Sequence, residues 1–388
     1  MRVLVSAVGT RGDVQPAIAL AIALRARGHD VRLAVPPNFV AWAASLGFEA
    51  SPLGIEMRAP RAGAAPTAEQ MRALASDLIT GQFEAIGAAA EGCDAIVGAG
   101  AHQYAVRSIA ELRGIPSYVA VYAPVSLPST DLAPVAAPGE PWDPSANVAT
   151  RWQESLAAWN ARSLERVNQN RARLGLSPIA DVLRHILGDS CWLAADSALG
   201  PAPTTPGMRV VGTGAWILED EAPLPDALEA FLGAGDPPIY VGLGSMPAAK
   251  ETSRALIEAV RAAGRRVILS QGWAELELVD DAADAIAIGD VDHRALFSRL
   301  AAVVHHGGAG TTTTAARAGV PQVVTPMFGD QFYWGMRVEQ LGLGRCTPLA
   351  SLSGALRASL APDVAERARA LAGEIRSDGA EIAAALVG

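Results

Sequence analysis

The chain has 388 residues, of which 50% are hydrophobic and 18% are charged, and its formal net charge is −9. This length exceeds what one core of ordinary size needs, so it predicts two domains that each bury a sizeable core. Nucleic-acid binding is not expected of an acidic chain whose longest basic cluster is the pair Arg265-Arg266.

The cysteines and the lack of long apolar runs indicate in which cellular compartment the protein is expected. The three cysteines, Cys93, Cys191 and Cys346, are far apart and form no CxxC pair, which is typical of buried thiols in a reducing environment. The sequence enters a strand pattern at once, without a signal-peptide pattern, and has no apolar run of about 20 residues. We therefore expect a cytoplasmic protein without an integral membrane segment.

Strands and helices alternate through the first half of the chain. The predicted strands are 3–7, 31–35, 95–97 and 117–121, and the predicted helices are 15–27, 39–46, 103–112 and 149–173. This alternation predicts a parallel sheet covered by helices on both faces. Two stretches without periodicity, 52–66 and 124–144, are predicted to be long loops, which in such folds are usually functional.

A second alternating unit follows a proline-rich stretch. Its predicted strands are 239–243, 267–269, 285–288, 302–305 and 320–325, its predicted helices are 253–263, 312–318 and 332–340, and 367–386 is predicted as the best helical stretch of the C-terminus. Residues 200–238 carry seven prolines and favour a linker over an element. The predicted organisation is a domain at 1–213, a linker at 214–237 and a domain at 238–388, both domains doubly wound α/β folds.

Two doubly wound domains predict a cleft between them. In open parallel sheets, ligands bind beyond the carboxyl ends of the strands. The residues that could carry chemistry are therefore sought in the loops that follow the predicted strands.

The segment at residues 305–312, HHGGAGTT, is the most informative of these loops. It predicts the end of a strand, a glycine-rich turn and the start of a helix. Backbone N–H groups at a helix start form an anion site, and glycines let a ligand approach the main chain. We expect a nucleotide diphosphate here, in contact with His306, although a satisfied core histidine is the alternative. His305 is expected to point into the fold, because neighbours on a strand face opposite sides.

Three further loops carry polar residues with two interpretations each. Asp13 follows the first strand and is either the N-cap of a helix or a general base facing the cleft. Asp330 and Gln331 suit sugar hydroxyls, but they also suit a helix cap. Ser245 donates to a phosphate or belongs to a plain tight turn.

Two metal- or cofactor-type patterns are disfavoured. Residues 290–292, DVD, spell a possible Mn²⁺–diphosphate clamp, but the predicted helix start already supplies positive potential to the diphosphate. The fragments at 98–100 and 212–215 lack the GxGxxG spacing of a dinucleotide site, so a dehydrogenase is a weak hypothesis.

Five motifs in chain order resemble family 1 glycosyltransferases of the two-domain GT-B fold. They are residues 9–16 (GTRGDVQP), 212–216 (GTGAW), 242–245 (GLGS), 305–312 (HHGGAGTT) and 328–331 (FGDQ). The likeness spans nearly the whole chain. It is greatest to bacterial transferases that decorate glycopeptide antibiotics and other natural products, and to sterol glucosyltransferases.

The resemblance implies an α/β GT-B fold and a reaction. The reaction is an inverting, metal-independent transfer of a sugar from a UDP- or dTDP-sugar to a hydroxyl of a lipophilic acceptor, such as an antibiotic aglycone or a sterol-like product. No cofactor is implied beyond the nucleotide sugar, which is a co-substrate. A monomer is expected.

The resemblance also implies residue roles. The residues implied to bind the phosphates and the base are Ser245, Trp273, Val291, His306, Gly308 and Thr311. Asp330 and Gln331 would hold the sugar. Asp13 would take the proton from the acceptor hydroxyl, where many relatives use a histidine. His102 and Trp142 would contact the acceptor.

Two other classes of function remain as alternatives. A nucleotide-sugar 2-epimerase on the same two-domain fold would need no acceptor, which the long loop at 124–144 argues against. A non-catalytic accessory paralogue would not need Asp13, His306 and the pair Asp330-Gln331 to be intact.

Overall fold

The computed structural model describes residues 1–56, 68–135, 143, 147–219, 222–246 and 250–388, with residues 68–75 and 250 described by their backbone only. Within these ranges the strands form two sheets in which every pairing is parallel. The α/β fold class is therefore confirmed.

The first sheet contains seven strands in the order β3-β2-β1-β4-β5-β6-β7. Their bounds are β1 (Arg2–Ala7), β2 (Asp30–Val35), β3 (Glu49–Pro52), β4 (Ala95–Ala99), β5 (Ser117–Val121), β6 (Ser190–Leu193) and β7 (Arg209–Gly212). The helices of this half are α1 (Arg11–Ala26), α2 (Pro37–Ser45), α3 (Ala68–Ala89), α4 (Val106–Arg113), α5 (Val148–Arg173) and α6 (Val182–Leu187). The central strands are buried along their length because helices cover both faces.

The second sheet contains six strands in the order β10-β9-β8-β11-β12-β13. Their bounds are β8 (Ile239–Gly242), β9 (Val267–Ser270), β10 (Ala285–Ile288), β11 (Ala302–His305), β12 (Gln322–Val324) and β13 (Gly344–Cys346). The helices of this part of the chain are α7 (Asp226–Gly233), α8 (Lys250–Ala262), α9 (His293–Phe297), α10 (Ala309–Arg317), α11 (Gln331–Gln340), α12 (Leu352–Ser359), α13 (Pro362–Ala372) and α14 (Gly379–Ala385).

Both sheets reverse their strand order at one place, between β1 and β4 in the first and between β8 and β11 in the second. Loops at such a switch point diverge to opposite faces and leave a crevice at the carboxyl edge of the sheet. The segments that follow these four strands hold Asp13, which lies in the first turn of α1, and His102, Ser245 and His306. The candidate site residues therefore lie at these two crevices.

Most predicted strands and helices agree with the structure to within a few residues, but the predicted start of the first helix is wrong. The sequence pattern placed it at residue 15, whereas α1 begins at Arg11. Thr10 and Asp13 form a capping box that satisfies the exposed N–H groups of the first turn, so the predicted turn becomes helix.

The expectation that 200–238 contains no regular element is also wrong. The strand β7 pairs with β6, and α7 begins directly after Pro225. The prolines flank these two elements instead of interrupting them, which is compatible with fixed φ at an element boundary. The division of the chain at 214–237 stays a prediction.

The predicted helical stretch 367–386 is broken into α13 and α14, separated by residues 373–378. The backbone N–H of Arg376 in this break donates to Asp196 Oδ2 at 2.8 Å. After the break, α14 packs on α1 of the first half, where Ala380, Ala383 and Ala384 join the buried cluster around β1. The last helix of the chain is therefore part of the core of the first sheet.

Gly379→Ala is expected to destabilise the fold. An added Cβ would overlap with the carbonyl oxygen of Ala215, which belongs to the backbone and cannot move aside freely. Overpacking of this kind costs on the order of 1–3 kcal/mol. Thermal unfolding measures the effect. The matched control is Gly354→Ala in α12, where a Cβ meets no atom within 4 Å and should stabilise the helix. Equal melting temperatures for the two variants would contradict the tight packing of α14.

Candidate active site

A continuous cleft of about 1780 Å³ lies between the carboxyl ends of the two sheets. The predicted site residues within the described ranges all line it: Asp13, His102, Ser245, Trp273, Val291, His306, Gly308, Thr311, Asp330 and Gln331. Trp142, predicted to contact an acceptor, lies outside the described residues. The structure thus brings the predicted set together in one cavity, and the individual roles stay predictions.

Asp13 is held at the start of α1 by Thr10. The backbone N–H of Thr10 donates to Asp13 Oδ2 at 2.8 Å, and the Thr10 hydroxyl donates to the same oxygen at 3.4 Å. Thr10 is the N-cap, so the N-cap interpretation of Asp13 is wrong. Gly9 has φ +133°, and a Cβ there would overlap with the Asp13 carboxylate. One carboxylate oxygen is fixed by these contacts.

Burial raises the pKa of Asp13 to about 6, opposed by the Thr10 hydrogen bond and assisted by the nearby charge of Asp330. The hydroxyl of Tyr122 donates to the carbonyl oxygen of Asp13 at 2.9 Å and fixes the backbone. A positioned carboxylate with a pKa near neutrality is able to accept a proton in this cleft.

His306 lies half-buried at the end of β11, between two glycines of the facing turns. A Cβ at Gly244 would lie 2.7 Å from its Cε1, and a Cβ at Gly308 would lie 2.8 Å from its Nε2. Burial lowers the pKa of His306 to about 4, opposed by the Gly242 backbone. The imidazole is therefore neutral near pH 7 and offers hydrogen-bonding nitrogens instead of a positive charge.

The helix start beside His306 provides the positive potential. Gly308 is the N-cap of α10, and the first turn of that helix contains no acidic residue. The first backbone N–H groups of a helix have no partner within the helix, and the macrodipole favours an anion in front of them. Thr311 lies in this first turn, and Ser245 faces the same cleft from the turn after β8.

His305 points into the fold, as the strand alternation predicts. It is fully buried, with Nε2 2.9 Å from Oε1 of Gln322, while its Nδ1 accepts from the N–H of Gly307 at 3.1 Å. Its pKa is lowered to about 3, chiefly by burial. His305 thus shapes the glycine turn from within the core.

Asp330 and Gln331 open α11 on the same wall. The Asp330 side chain makes no capping hydrogen bond to its helix and accepts instead from Nε1 of Trp334 at 3.1 Å. Burial raises the pKa of Asp330. The side-chain oxygen of Gln331 accepts from the N–H groups of Met327 and Phe328 at 2.8 and 3.2 Å. Gln331 therefore shapes the loop, and its role toward a sugar stays a prediction.

The DVD segment at 290–292 has its carboxylates engaged by the protein. Asp290 forms an ion pair with Arg11 of α1 across the cleft, and Asp292 caps α9 by accepting from the N–H of Arg294 at 2.9 Å. Within the described residues there is no cluster of three or more metal-ligating side chains.

Aromatic side chains join the two walls. Trp273, predicted to hold a nucleotide base near Val291, stacks on Phe39 of α2 with ring centroids 5.7 Å apart and planes inclined by 19°. The guanidinium of Arg11 lies 5.1 Å from the ring centroid of Trp42. One face of Trp273 is therefore covered by the first half of the protein.

On the wall formed by the first half of the chain, His102 belongs to a second aromatic cluster. Its ring centroid lies 5.1 Å from that of Trp159 and 6.2 Å from that of Tyr104. Burial lowers the pKa of His102. His102 and Trp159 of this cluster line the cleft and are able to pack an apolar molecule.

Sequence reasoning missed three side chains that organise the site: Thr10, Tyr122 and Trp334. Thr10 was visible as a capping-box partner at i−3 of Asp13. Tyr122 contacts a residue 109 positions away, which leaves no spacing to detect. Trp334 lies four residues after Asp330, but its pattern is that of an ordinary core tryptophan in a helix.

Each half of the chain matches the model of a known protein family. Residues 3–129 match the family described as glycosyltransferase family 28 N-terminal domain. Residues 254–383 match the erythromycin biosynthesis protein CIII-like, C-terminal domain. The two matches fall on the two sheets.

Relatives match over nearly their whole length. Glycosyltransferase GtfE of Amycolatopsis orientalis is 46% identical, covering 100% of this chain and 97% of the relative. Vancomycin aglycone glucosyltransferase of the same organism is 45% identical with the same coverage. The dTDP-epi-vancosaminyltransferase of that organism is 41% identical, covering 95% of this chain and 92% of the relative.

Solved structures share the fold. The glycotransferase of kitacinnamycin superposes with a TM-score of 0.75 at 22% identity and covers 100% of this chain and 98% of that chain. Glycosyltransferase VinC, in complex with dTDP, gives 0.64 at 21% identity and covers 96% and 95%.

Two doubly wound sheets with facing carboxyl edges, shared with these structures, define the GT-B class of glycosyltransferases. At 46% identity over its full length, the chain belongs to the glycosyltransferase family that contains the Amycolatopsis orientalis enzymes. The resemblance drawn from the five motifs is thereby confirmed. Separately, in the described part of the chain no helix has the length and apolar character needed to cross a membrane.

Asp13→Asn is expected to raise the melting temperature near neutral pH. A carboxyl whose pKa is raised by burial disfavours the folded state once it is ionised, and asparagine keeps an oxygen for the Thr10 N–H. The gain should be present above about pH 6 and fade as the pH falls toward 3.8, the value of an unperturbed aspartate.

Thermal unfolding across this pH range checks the effect. Asp181→Asn is the matched control, because Asp181 also stands at a helix start, accepting from the N–H of Arg184 at 2.8 Å, but outside the cleft. A gain in melting temperature that does not depend on pH, or a lower melting temperature at neutral pH, would show that burial does not destabilise the ionised Asp13 carboxylate.

Proposed function

We propose that the protein transfers a sugar from a UDP- or dTDP-sugar to a hydroxyl of a lipophilic acceptor, with inversion and without a metal ion. The observation that carries this is the position of Asp13. A carboxylate with a pKa of about 6 faces the anion-binding helix start of α10 and the Asp330 carboxylate across one cleft. In this proposal residues 1–213 hold the acceptor, 214–237 link the halves, and 238–388 hold the donor.

The donor diphosphate would lie at the start of α10. The N–H groups of the first turn, the hydroxyls of Ser245 and Thr311 and the imidazole of His306 supply hydrogen-bond donors for its oxygens. The backbone at Gly308 allows the close approach that a diphosphate needs. Support for dTDP comes from the dTDP-epi-vancosaminyltransferase at 41% identity.

The sugar would lie between the helix start and Asp330. The Asp330 carboxylate would accept hydrogen bonds from sugar hydroxyls, and Gln331 fixes the loop beside it. Val291 and Trp273 would contact the base at the outer end of the cleft.

The acceptor would lie against the first half, near His102. Its hydroxyl oxygen attacks the anomeric carbon while its proton passes to the free oxygen of Asp13, and the bond from the anomeric carbon to the diphosphate oxygen breaks. The electron pair of that bond leaves with the diphosphate, whose growing charge the α10 N–H groups stabilise. The proton is transferred late, so a carboxylate is a strong enough base.

Inversion is proposed because Asp13 and the start of α10 lie on opposite walls of the cleft. A single displacement would then proceed from the face opposite the diphosphate. The proposal that no metal ion is needed rests on the start of α10 and the hydrogen-bond donors beside it. They would stabilise the negative charge of the diphosphate, as a cation does in metal-dependent enzymes. The carboxylates of Asp290 and Asp292 are already engaged with Arg11 and α9.

The proposed acceptor class is an antibiotic aglycone or a sterol-like natural product. The vancomycin aglycone glucosyltransferase is 45% identical over the full chain, and the rings of His102 and Trp159 line the cleft. A screen of UDP- and dTDP-sugars against glycopeptide, macrolide and sterol acceptors, read by mass spectrometry, tests the proposal. Conversion of a nucleotide sugar alone into its epimer would overturn it.

Asp13→Asn is expected to lower turnover by about a hundredfold or more while nucleotide binding stays intact, since it removes the proton acceptor. In the wild type, kcat/KM should fall below about pH 6, where Asp13 becomes protonated. Steady-state kinetics across pH and calorimetry with dTDP and UDP measure both effects. Unchanged turnover would remove Asp13 from the mechanism, and Asp181→Asn controls for the loss of a carboxylate at a helix start.

His306→Ala is expected to raise the dissociation constant for the nucleoside diphosphate by about tenfold, the factor for one lost hydrogen bond of ordinary strength. Calorimetry with dTDP and UDP measures it. His29→Ala, at the amino end of β2 and away from the cleft, is the control. An unaltered dissociation constant would contradict the phosphate role of His306.

A further inference from the structure

The side chain of Trp334 connects the cleft with the packing between the two halves of the protein. Trp334 lies one helical turn after Asp330 in α11 and is only 1% exposed. Its indole N–H donates to Asp330 Oδ2 at 3.1 Å. Buried tryptophans commonly direct this N–H to a backbone carbonyl, as Trp152 does toward Leu132 at 2.9 Å. In Trp334 the partner is instead a carboxylate that faces the cleft.

The Asp330 carboxylate depends on this donor because its own helix does not hold it. Asp330 is the N-cap of α11, yet its side chain makes no capping hydrogen bond. The Trp334 N–H engages one carboxylate oxygen, Oδ2, of a residue that lines the cleft. Hydrogen bonds to ionised groups are stronger than those between neutral groups, so this contact fixes the carboxylate.

The far end of the Trp334 ring is set by the first half of the protein. A Cβ at Gly200 would lie 2.9 Å from Cη2 and 3.3 Å from Cζ3 of the indole. Arg337, on the same helix, donates to the carbonyl oxygens of Leu199 and Ala198 at 2.7 and 3.3 Å. The helix α11 is therefore seated on the segment 198–200, which follows β6 of the first sheet.

We infer that Trp334 is a positioning residue for the donor sugar: its indole holds the Asp330 carboxylate in place, and its ring transmits the packing between the two halves to that carboxylate. The inference rests on the proposed function, in which Asp330 binds the sugar. It adds a residue that acts on the sugar through Asp330. Sugar binding thereby depends on how α11 sits on residues 198–200.

Trp334→Phe tests the inference because it removes the N–H and keeps an aromatic ring. Calorimetry compares the dissociation constants of the nucleotide sugar and of the nucleoside diphosphate alone. We expect the first to rise about tenfold, the factor for one lost hydrogen bond, and the second to change less than about twofold. With a transferred acceptor, the donor KM should rise by more than kcat falls.

Trp192→Phe is the matched control. Trp192 is 4% exposed in β6 and stacks on Tyr118, so its substitution costs core packing without touching α11. Both variants should lose thermal stability, but only Trp334→Phe should separate sugar affinity from nucleotide affinity. Equal weakening of both ligands in Trp334→Phe, or of neither, would overturn the inference.

Gly200→Ala keeps the inference testable if Trp334→Phe does not fold. The added Cβ presses on the indole from the first half and lies outside the cleft. It should raise the nucleotide-sugar dissociation constant severalfold and leave that of the diphosphate unchanged. If the wild-type protein fails to bind nucleotide sugars, the proposed function itself is contradicted. If the wild type binds them and both variants, Gly200→Ala and Trp334→Phe, bind them equally well, only the inference is contradicted.

Discussion

Two helix starts face each other across the cleft. A capping side chain lies at the first of them, whereas the second has no side-chain cap. The start of α1 is closed by its own capping box, in which Asp13 accepts from Thr10. The start of α10 is capped by Gly308 and has no acidic side chain in its first turn. Because both helices stand at the switch points of parallel sheets, one wall carries a negative side chain and the other carries the positive end of a helix. The proposed chemistry depends on this contrast.

The fold was largely predictable because buried parallel strands are continuous apolar runs. The strands that define both switch points, together with the motif residues Asp13 and His306, follow from such runs and the loops after them. The strands β7 and β13 were not predicted, because their short sequences, RVVG and GRC, contain a charged residue and a glycine instead of a continuous apolar run. Residues 200–238 illustrate this limit, since prolines next to an element read like prolines in a linker.

The contacts within the site were less predictable, for a physical reason. The Tyr122 hydroxyl reaches the Asp13 carbonyl across 109 positions of sequence, and Arg11 meets Asp290 across 279. Long-range pairs of this kind leave no local spacing to detect. Trp334 reads as an ordinary core tryptophan of an amphipathic helix, and only the position of its N–H distinguishes it. Burial likewise sets the pKa of Asp13, and the degree of burial depends on both walls of the cleft.

The return of α14 to the first sheet changes how the two halves are able to move. One covalent connection crosses between them after β7, and a second crosses back at residues 373–378, where Arg376 is tied to Asp196. A body attached at one point swivels freely, but a body attached at two points turns mainly about the line that joins them. The second crossing therefore restricts rotation of the second half against the first more than a single connection would.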